Sequence, residues 1–210
     1  MVRVLIADDH AVVRRGLVQI LEEVSDLVAA GEASNGREVL QAVRTGDYDV
    51  LLLDVGMPGG GGLEVLRQLQ GLSPELPVLI LSIYPEEQYA TRMLKAGAAG
   101  YLTKESAPDE LVAAIRRVAR GEKYISASLA SKLAGQIGKK TEKDPLKELS
   151  DREFQVMRLL ASGKSVTEIA NQLSLSVKTV STYRARTLDK LDLESTADLI
   201  RYALERDLVE

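Results

Sequence analysis

The chain has 210 residues, of which 45% are hydrophobic and 28% charged, so it can form two domains with cores of their own and a disordered chain is excluded. It contains no cysteine and a single histidine, which excludes disulfides, thiol nucleophiles, zinc ribbons, iron–sulfur clusters and histidine-rich metal sites. A membrane span needs about 18 apolar residues, and no apolar run is close to that length. Met1 leads directly into a strand pattern. We therefore expect a soluble intracellular protein with no membrane partner.

The formal net charge of −4 is unevenly distributed along the chain. Residues 1–121 carry 12 basic and 17 acidic side chains, whereas residues 164–190 carry five basic and two acidic ones. A nucleic-acid partner therefore has to be argued from a local patch and not from the global charge.

Short apolar runs alternate with amphipathic stretches over the first 120 residues. The runs predict five strands: Val2–Ala7, Leu27–Gly31, Val50–Asp54, Val78–Ser82 and Gly100–Leu102. Apolar residues spaced by three and four predict the helices between them: Val12–Val24, Arg37–Arg44, Leu63–Leu69, Glu86–Ala96 and Asp109–Arg120. The alternation predicts an α/β doubly wound, five-stranded parallel sheet, in which the functional crevice lies at the carboxyl ends of the strands.

A connection follows this first part of the chain. Ser128–Ile137 has a helical pattern, but Gly135, Gly138 and Asp144–Pro145 interrupt any longer one. We predict a first domain over residues 1–121, a partly helical linker over 122–145 and a second domain over 146–210.

The second domain has only helical patterns. Ser150 and Glu153 form a predicted capping box, and Gly163 is placed to end the helix that they open. Further helices are predicted over Val166–Leu173, Val177–Leu191 and, capped by Ser195, Thr196–Arg206. A short connection before a long helix with one polar face is typical of a helix-turn-helix, so we predict an all-α four-helix domain of that kind.

Acidic and basic side chains follow four of the predicted strands. Asp8 and Asp9 end the first strand, and Asp54 ends the third. Three carboxylates at one sheet edge repel each other, and oxygen ligands favour a hard cation such as Mg²⁺. Ser82 and Lys104 lie at the ends of the fourth and fifth strands. Each aspartate alone is better explained as a solvated loop residue or a helix cap, but all five residues together predict a functional site with a hard cation at this edge.

Residues 1–120 resemble the receiver domain of bacterial two-component response regulators. The resemblance is carried by the following residues: Ile6–His10, Asp54–Pro58, Gly62, Ser82, Tyr101 and Lys104. It implies that Asp54 is the phosphoacceptor and attacks the phosphohistidine of a sensor histidine kinase. It also implies a Mg²⁺ (or Mn²⁺) ion bound by Asp9, Asp54 and the backbone carbonyl of Gly56, with Asp8 acting through water.

The same resemblance implies roles at the other strand ends. Lys104 would pair with the phosphoryl oxygens, Ser82 would donate a hydrogen bond to them, and Tyr101 would be the aromatic switch that follows Ser82. Gly56 has no side chain to cover the phosphoryl group, and Ile83 is bulkier than the small residue often found next to the switch hydroxyl.

Two nearby features have plainer interpretations. Gly59–Gly62 lacks the lysine and hydroxyl residue that end a phosphate-binding loop, so it predicts a flexible loop. His10, next to the acidic pair, is interpreted as a packing or capping residue rather than a catalyst.

Residues 149–210 resemble the LuxR-type helix-turn-helix domain that follows a receiver in the NarL/FixJ class. The residues that carry this resemblance are Leu149–Glu153, Gly163, Glu168–Ala170, Leu173, Ser176, Thr179–Val180, Lys190–Leu191 and Ala197. The resemblance identifies Val177–Leu191 as the recognition helix.

The recognition helix has a predicted buried face and a predicted DNA face. Helical geometry places Val180, Thr187 and Leu191 on the buried side. The opposite side carries Lys178, Thr182, Ala185, Arg186 and Asp189, with Ser181 on the flank. Base contacts are predicted from Ser181, Thr182 and Ala185. Phosphate contacts are predicted from Lys178, Arg186 and, before this helix, Lys164, and Thr179 completes the DNA-binding set. Arg184 falls near the core side and has to pair or extend to solvent, and the role of Tyr183 stays open.

The last helix carries an apolar set. By resemblance, Leu199, Ile200, Ala203 and Leu204 form a dimerisation face, although a role in the core of the domain is equally open.

Together these features predict a phosphorylation-controlled transcriptional regulator of the bacterial cytoplasm, with no enzymatic activity beyond slow self-dephosphorylation. Its predicted partners are a sensor histidine kinase, double-stranded promoter DNA, a second copy of the chain when phosphorylated and, as a further candidate, RNA polymerase. Phosphorylation is expected to rearrange Ser82, Tyr101 and the fourth helix.

Two alternatives remain at this point. One is a receiver-containing transcription factor that acts independently of phosphorylation. The other is a haloacid-dehalogenase-like phosphohydrolase, which would need a second acid where this chain has Gly56.

Overall fold

The structure is a computed structural model that describes residues 1–57, 61–83, 86–127, 129–131, 145–173, 175–206 and 208–209. The chain forms two compact units, Met1–Gly135 and Gln136–Glu210. The sequence predictions outside the described residues are those for Pro58, the Gly59–Gly60 part of the loop, most of the Ser128–Ile137 helix and the interruptions at Gly135, Gly138 and Asp144. The predicted linker limits, 122 and 145, stay predictions.

The first unit contains a five-stranded parallel sheet in the order β2-β1-β3-β4-β5, which confirms the predicted fold class. The strands are β1 (Val2–Ala7), β2 (Leu27–Ala33), β3 (Val50–Asp54), β4 (Val78–Ser82) and β5 (Gly100–Thr103). Helices between and after them are α1 (Ala11–Glu22), α2 (Gly36–Thr45), α3 (Gly61–Leu72), α4 (Glu86–Lys95) and α5 (Pro108–Ala119).

The central strands are apolar because the sheet has helices on both faces. Every residue of β3 and β4 is buried, as in parallel sheets covered on both sides. In register, Ala7 of β1 pairs with Leu53 of β3, and Ser82 of β4 pairs with Thr103 of β5. The residues that follow these positions therefore lie at one sheet edge, where the strand order reverses between β1 and β3.

The second unit is helical in its described residues. A 3₁₀ turn (Pro145–Glu148) precedes α6 (Asp151–Ala161), α7 (Val166–Leu173), α8 (Val177–Leu191) and α9 (Thr196–Leu204). Both hydrogen bonds of the predicted Ser150–Glu153 capping box are present, and Gly163 has the left-handed φ of 82° that favours glycine. The bounds of α7 and α8 are those predicted.

The last helix ends earlier than its sequence pattern predicts. The prediction extended to Arg206, but α9 ends at Leu204. The reason is that the chain turns back: the Leu208 amide donates to the Ala203 carbonyl at 2.9 Å, and the Leu208 side chain is buried. Among the described helices of both units, none is long and apolar enough to cross a membrane.

Candidate functional site

The predicted acidic residues meet at the carboxyl edge of the sheet. Each of Asp8, Asp9, His10 and Asp54 offers an oxygen or nitrogen atom that lies within 4.8 Å of those of the others. Asp8 and Asp54 are 1% and 4% exposed, so two carboxylates are buried side by side. The Lys104 Nζ atom lies 2.6 Å from Asp8 Oδ2 and 3.0 Å from Asp54 Oδ2. One cation is thus shared between two buried anions.

Backbone groups fix the orientation of the two buried carboxylates. The His10 amide donates to Asp8 Oδ1 at 2.8 Å, and the Gly56 amide donates to Asp54 Oδ1 at 3.0 Å. Arg14 of α1 donates from Nη1 to the Asp8 carbonyl at 2.7 Å. Both side chains are therefore held at the sheet edge before any ligand arrives.

Burial and charge act in opposite directions on the ionisation of this cluster. Burial raises the pKa of Asp54, and the Gly56 amide and Lys104 oppose this only in part. Burial alone would lower the pKa of Lys104, but hydrogen bonds and charge from Asp8 and Asp54 outweigh it and raise that pKa. Lys104 is therefore a cation at neutral pH, and one positive charge faces two carboxylates.

Two glycines lie close to Asp54, one next to its carboxylate and one next to its backbone. A Cβ at Gly56 would lie 3.4 Å from Asp54 Oδ2, so a side chain there would begin directly over the carboxylate. A Cβ at Gly62 would lie 2.7 Å from the Asp54 carbonyl oxygen and 2.8 Å from the Val55 Cα, closer than real Cβ atoms come. Gly62 is thus the residue that allows the start of α3 to pass against the end of β3.

Ser82 and Tyr101, the two predicted switch residues, lie in the neighbouring strands β4 and β5. Ser82 is fully buried at the end of β4, and its carbonyl accepts from the Lys104 amide at 2.8 Å. Tyr101 is fully buried in β5. Ile83, directly after Ser82, is 70% exposed. The structure therefore brings Ser82 to the edge that carries Asp54 and Lys104.

His10 neither packs nor caps, so that interpretation of the sequence was wrong. It stands at the N-cap position of α1, but its side chain makes no cap hydrogen bond and is 67% exposed. Its Nδ1 atom lies 3.0 Å from Asp9 Oδ1 and 3.2 Å from Asp8 Oδ1. The carboxylates attract the imidazole to the rim of the acidic cluster.

Helix α8 has the two faces that its sequence predicts. Val180, Thr187 and Leu191 are buried, which confirms the predicted core side. Thr179 is half-buried. The exposed residues of the predicted DNA set are Lys164, Lys178, Ser181, Thr182, Ala185 and Arg186, and Asp189 is exposed with them. All but Lys164 lie on α8, whereas Lys164 lies in the connection between α6 and α7.

Hydrogen bonds fix the positions of several side chains of the helix-turn-helix. Ser176 caps α8 by accepting from the Thr179 amide at 3.0 Å. The Thr182 hydroxyl donates to the Lys178 carbonyl at 3.0 Å. Arg184, whose role the sequence left open, donates from Nε to Thr196 Oγ1 at 2.7 Å, so it ties α8 to α9.

Sequence reasoning missed the ion pair that holds α8 against α6. Lys190 Nζ lies 2.7 Å from Glu153 Oε2 and donates to the Glu148 carbonyl at 3.1 Å. Burial alone would raise the pKa of Glu153, but Lys190 and Ser150 outweigh burial and lower it. The capping box marked Glu153 as structural, yet nothing local pointed to a lysine 37 positions away.

The apolar set of α9 divides into core and surface. Leu199 and Ala203 are fully buried within the unit, whereas Leu204 is 51% exposed and Ile200 is half-buried. Only Ile200 and Leu204 therefore have surface that a second copy can contact.

Comparison with known proteins assigns both parts of the chain. Residues 4–116 match the response regulator receiver domain, and residues 147–203 match the bacterial regulatory proteins of the luxR family. The chain is a response regulator. Response regulator UvrY of Escherichia coli K12 is 39% identical over 209 residues, which are 99% of this chain and 96% of UvrY. Response regulator GacA of Pseudomonas aeruginosa is 39% identical over 211 residues, covering 100% and 99% of the two chains.

Solved structures of a related response regulator agree with this assignment. RcsB of Salmonella enterica serovar Typhimurium, bound to promoter DNA with phosphomimetic BeF₃⁻, has a TM-score of 0.71 and 29% identity over 96% of this response regulator and 97% of RcsB. A structure of two RcsB dimers on two parallel DNAs has a TM-score of 0.60 and 29% identity, with 96% of each chain covered. The resemblance to the NarL/FixJ class and the LuxR-type DNA-binding domain are confirmed. The phosphohydrolase alternative loses its basis, because full-length relatives are response regulators.

Proposed function

We propose that a sensor histidine kinase phosphorylates Asp54 and that this modification promotes promoter binding in the bacterial cytoplasm. The observation that carries the proposal is the placement of Asp54, which is buried next to Asp8 with the Lys104 ammonium 3.0 Å from its Oδ2 atom. A buried carboxylate with a raised pKa and an adjacent cation suits a nucleophile that receives a strongly anionic group.

The proposed transfer is an in-line displacement on phosphorus. A carboxylate oxygen of Asp54 forms the new P–O bond while the P–N bond of the kinase phosphohistidine breaks, and its electron pair leaves with the imidazole. Lys104 is placed to pair with a phosphoryl oxygen, since it already contacts the acceptor carboxylate. Ser82 would donate its hydroxyl hydrogen to another, and Tyr101 would rearrange with Ser82.

The donor set of the site fits a divalent cation, Mg²⁺ or Mn²⁺. Asp9, Asp54 and the Gly56 carbonyl would hold the ion directly, and Asp8 would hold it through water. These oxygens are the ligands that hard cations prefer, and the carboxylates outnumber the one lysine that faces them. A bound cation would supply positive charge opposite the phosphoryl oxygens.

The exposed surface of α8 supports a specific mode of DNA binding. We propose that Lys164, Lys178 and Arg186 contact phosphates, which positions the helix without reading sequence. Base contacts would come from Ser181, Thr182 and Ala185, flanked by Thr179. Because the Thr182 hydroxyl is engaged with the Lys178 carbonyl, its methyl group is the part left for contact with a thymine methyl.

We further propose that phosphorylation favours a homodimer that contacts two half-sites. Of the four residues of the predicted dimer face, Leu204 and part of Ile200 remain exposed on α9. Dimers of RcsB on DNA support this arrangement for a related response regulator.

Replacing Asp54 with asparagine tests the phosphoacceptor. Phosphorylation with acetyl phosphate and Mg²⁺ is followed by the mass of the intact protein, and promoter binding by gel shift. We expect no phosphoryl group on Asp54→Asn and full modification of the matched control, Asp47→Asn, whose side chain is exposed. Normal modification of Asp54→Asn would overturn the assignment. DNA affinity unchanged by phosphorylation or by BeF₃⁻ would favour the alternative in which the receiver acts without phosphate.

A further inference from the structure

The segment after α5 adds itself to the edge of the sheet. Tyr124 forms a parallel bridge with Gly100, and the Tyr124 amide donates to the Ala99 carbonyl at 2.9 Å. Lys123 Nζ donates to the Ala98 carbonyl at 2.8 Å. A Cβ at position 100 would lie 2.8 Å from the Tyr124 carbonyl oxygen, so this close approach depends on Gly100. Residues 123–124 are thereby anchored on β5.

Tyr124 also anchors the segment on α5. Its hydroxyl donates to Glu110 Oε1 at 2.9 Å, and the Arg117 guanidinium lies 5.7 Å from the centre of its ring. Burial and the Glu110 hydrogen bond raise the pKa of Tyr124 to about 12, so the hydroxyl remains a donor at any physiological pH. None of these hydrogen bonds or ring contacts is made with a residue of β4 or α4, although the nearby Glu86 charge makes a smaller contribution to the raised pKa of Tyr124.

Two residues further on, the segment is held by α4 instead. The Ser126 amide donates to Glu86 Oε1 at 3.3 Å, and the Ser126 hydroxyl donates to Glu86 Oε2. The same hydroxyl oxygen accepts from the Leu129 amide at 3.0 Å, and Leu129 is 3% exposed. One carboxylate thus fixes the serine whose hydroxyl and carbonyl oxygens accept from the Leu129 and Ala130 amides.

Glu86 is an unusual partner because of its position. It is the first residue of α4, where an acid stabilises its own helix by facing the free amides and the helix dipole. In this chain both Glu86 oxygens accept from Ser126. Glu86 also lies four residues after Ser82, the hydroxyl that the proposed function assigns to the phosphoryl group. Any movement of the start of α4 therefore acts directly on Ser126.

We propose that the Glu86–Ser126 contact is a latch that holds Ser126 and Leu129 on the receiver and opens when Asp54 is phosphorylated. The inference rests on the proposed function, since Ser82 and α4 are the elements expected to rearrange. Opening breaks the two hydrogen bonds to Glu86 and releases Leu129, while the Tyr124 anchor on β5 and α5 stays closed. Glu86 and Ser126 are thus positioning residues that pass the state of the phosphorylation site to the chain leading to the DNA-binding unit.

Hydrogen exchange of the full-length protein tests the latch. Peptides covering residues 122–131 are compared with and without acetyl phosphate and Mg²⁺, and intact mass records phosphorylation of the same sample. We expect exchange over residues 125–131 to rise about tenfold on phosphorylation, as for loss of a hydrogen bond to a charged acceptor, with residues 123–124 unchanged. Ser126→Ala should show the fast exchange without phosphorylation, and Ser126→Thr, which keeps the hydroxyl, should restore protection. Tyr124→Phe is the matched control, because it removes one hydrogen bond on the other side and leaves the response intact.

The outcomes separate the latch from the proposed function. A phosphorylated sample whose exchange over 125–131 is unchanged overturns the latch and leaves the phosphoacceptor assignment standing. A sample that gains no phosphoryl group overturns the trigger together with the proposed function. Ser126→Ala with wild-type exchange in the unphosphorylated protein overturns the latch in either case.

Discussion

The Lys104 ammonium nitrogen lies 3.0 Å from Oδ2 of Asp54. The same nitrogen lies 2.6 Å from Asp8 Oδ2, so a single cation serves two buried carboxylates. Because one positive charge cannot neutralise two negative ones, the site keeps an excess of negative charge in a poorly solvated place. Asp54 is therefore costly to ionise, and the same excess attracts a divalent cation.

Replacing Asp54 with asparagine should stabilise the receiver near neutral pH. Burial raises the pKa of Asp54 above its usual value of 3.8. Because the folded-state pKa is raised, the contribution of Asp54 to the stability of the folded protein is fully present below the unfolded-state pKa. This contribution is lost as the pH rises through the folded-state pKa, where Asp54 ionises in the folded protein. Asparagine avoids that loss, so we expect the free energy of unfolding to increase by about 1 kcal/mol at pH 7, measured by urea denaturation.

The pH dependence of this gain provides its control. The gain should shrink as the pH falls below the folded-state pKa and disappear below 3.8, because Asp54 is then neutral in both the folded and unfolded wild type. Asp47→Asn should give no gain at any pH. A less stable Asp54→Asn at pH 7 would mean that pairing with Lys104 outweighs burial.

Replacing Lys104 with methionine should destabilise the receiver. The substitution keeps the length of the side chain but leaves Asp8 and Asp54 buried without their shared cation. We expect a loss of about 3 kcal/mol in the free energy of unfolding without metal. Added Mg²⁺ should recover part of the loss, because an ion that binds only the folded state stabilises it. Equal stability of Lys104→Met and wild type would contradict the shared-cation account.

Removing the exposed cations of α8 should weaken DNA binding in a salt-dependent way. Lys178→Ala and Arg186→Ala should each lower affinity for all sequences and reduce the slope of log K against log salt by about one. Fluorescence anisotropy across a salt series measures both quantities. Arg201→Ala on α9, where Arg201 pairs with Asp198, is the matched control and should leave the slope unchanged. An unchanged slope for Lys178→Ala and Arg186→Ala would reject the phosphate contacts.

Tyr124 should titrate later than an ordinary tyrosine. Its pKa is raised to about 12 from 10.0, first by burial and then by Glu110. Unfolded Tyr124 loses its proton near pH 10 while the folded form keeps it, so its contribution to stability falls between pH 10 and about 12. The ultraviolet difference between wild type and Tyr124→Phe should show one phenol ionising near pH 12. A difference spectrum centred near pH 10 would contradict this burial.

Substitution of Leu204 should prevent dimerisation without unfolding the domain. Leu204 is 51% exposed, so Leu204→Asp adds charge to the surface, whereas Leu199 is fully buried. We expect phosphorylated Leu204→Asp to sediment as a monomer under conditions where the wild type forms dimers. Circular dichroism should remain that of the wild type. Dimers of undiminished stability would place the interface elsewhere.

The sequence predicts best where local pattern and burial coincide. The bounds of β1, β3 and β4 were predicted because each is a nearly continuous apolar run. The shared edge of Asp8, Asp54 and Lys104 was predicted because parallel strands bring their carboxyl ends together. The bounds of several other elements differed from the prediction where the periodicity fades, as at the end of β2, which extends to Ala33 instead of Gly31.

Contacts between distant residues could not be predicted in the same way. The Arg184–Thr196 bond and the Glu86–Ser126 contact join residues that share no periodic pattern. His10 was misinterpreted because its position before a helix suggests a cap, whereas the electrostatic attraction of Asp8 and Asp9 decides where the ring lies. These contacts depend on how distant parts of the chain pack together, which local sequence patterns do not show.

The Glu153 side chain accepts from the Ser150 amide and pairs with Lys190 of the recognition helix. The same carboxylate thus caps the start of α6 and holds α8 against it. A mutation at this site would therefore impair promoter selection without touching any group that meets the double helix, and a screen for operator mutants should find substitutions there next to those on the reading surface.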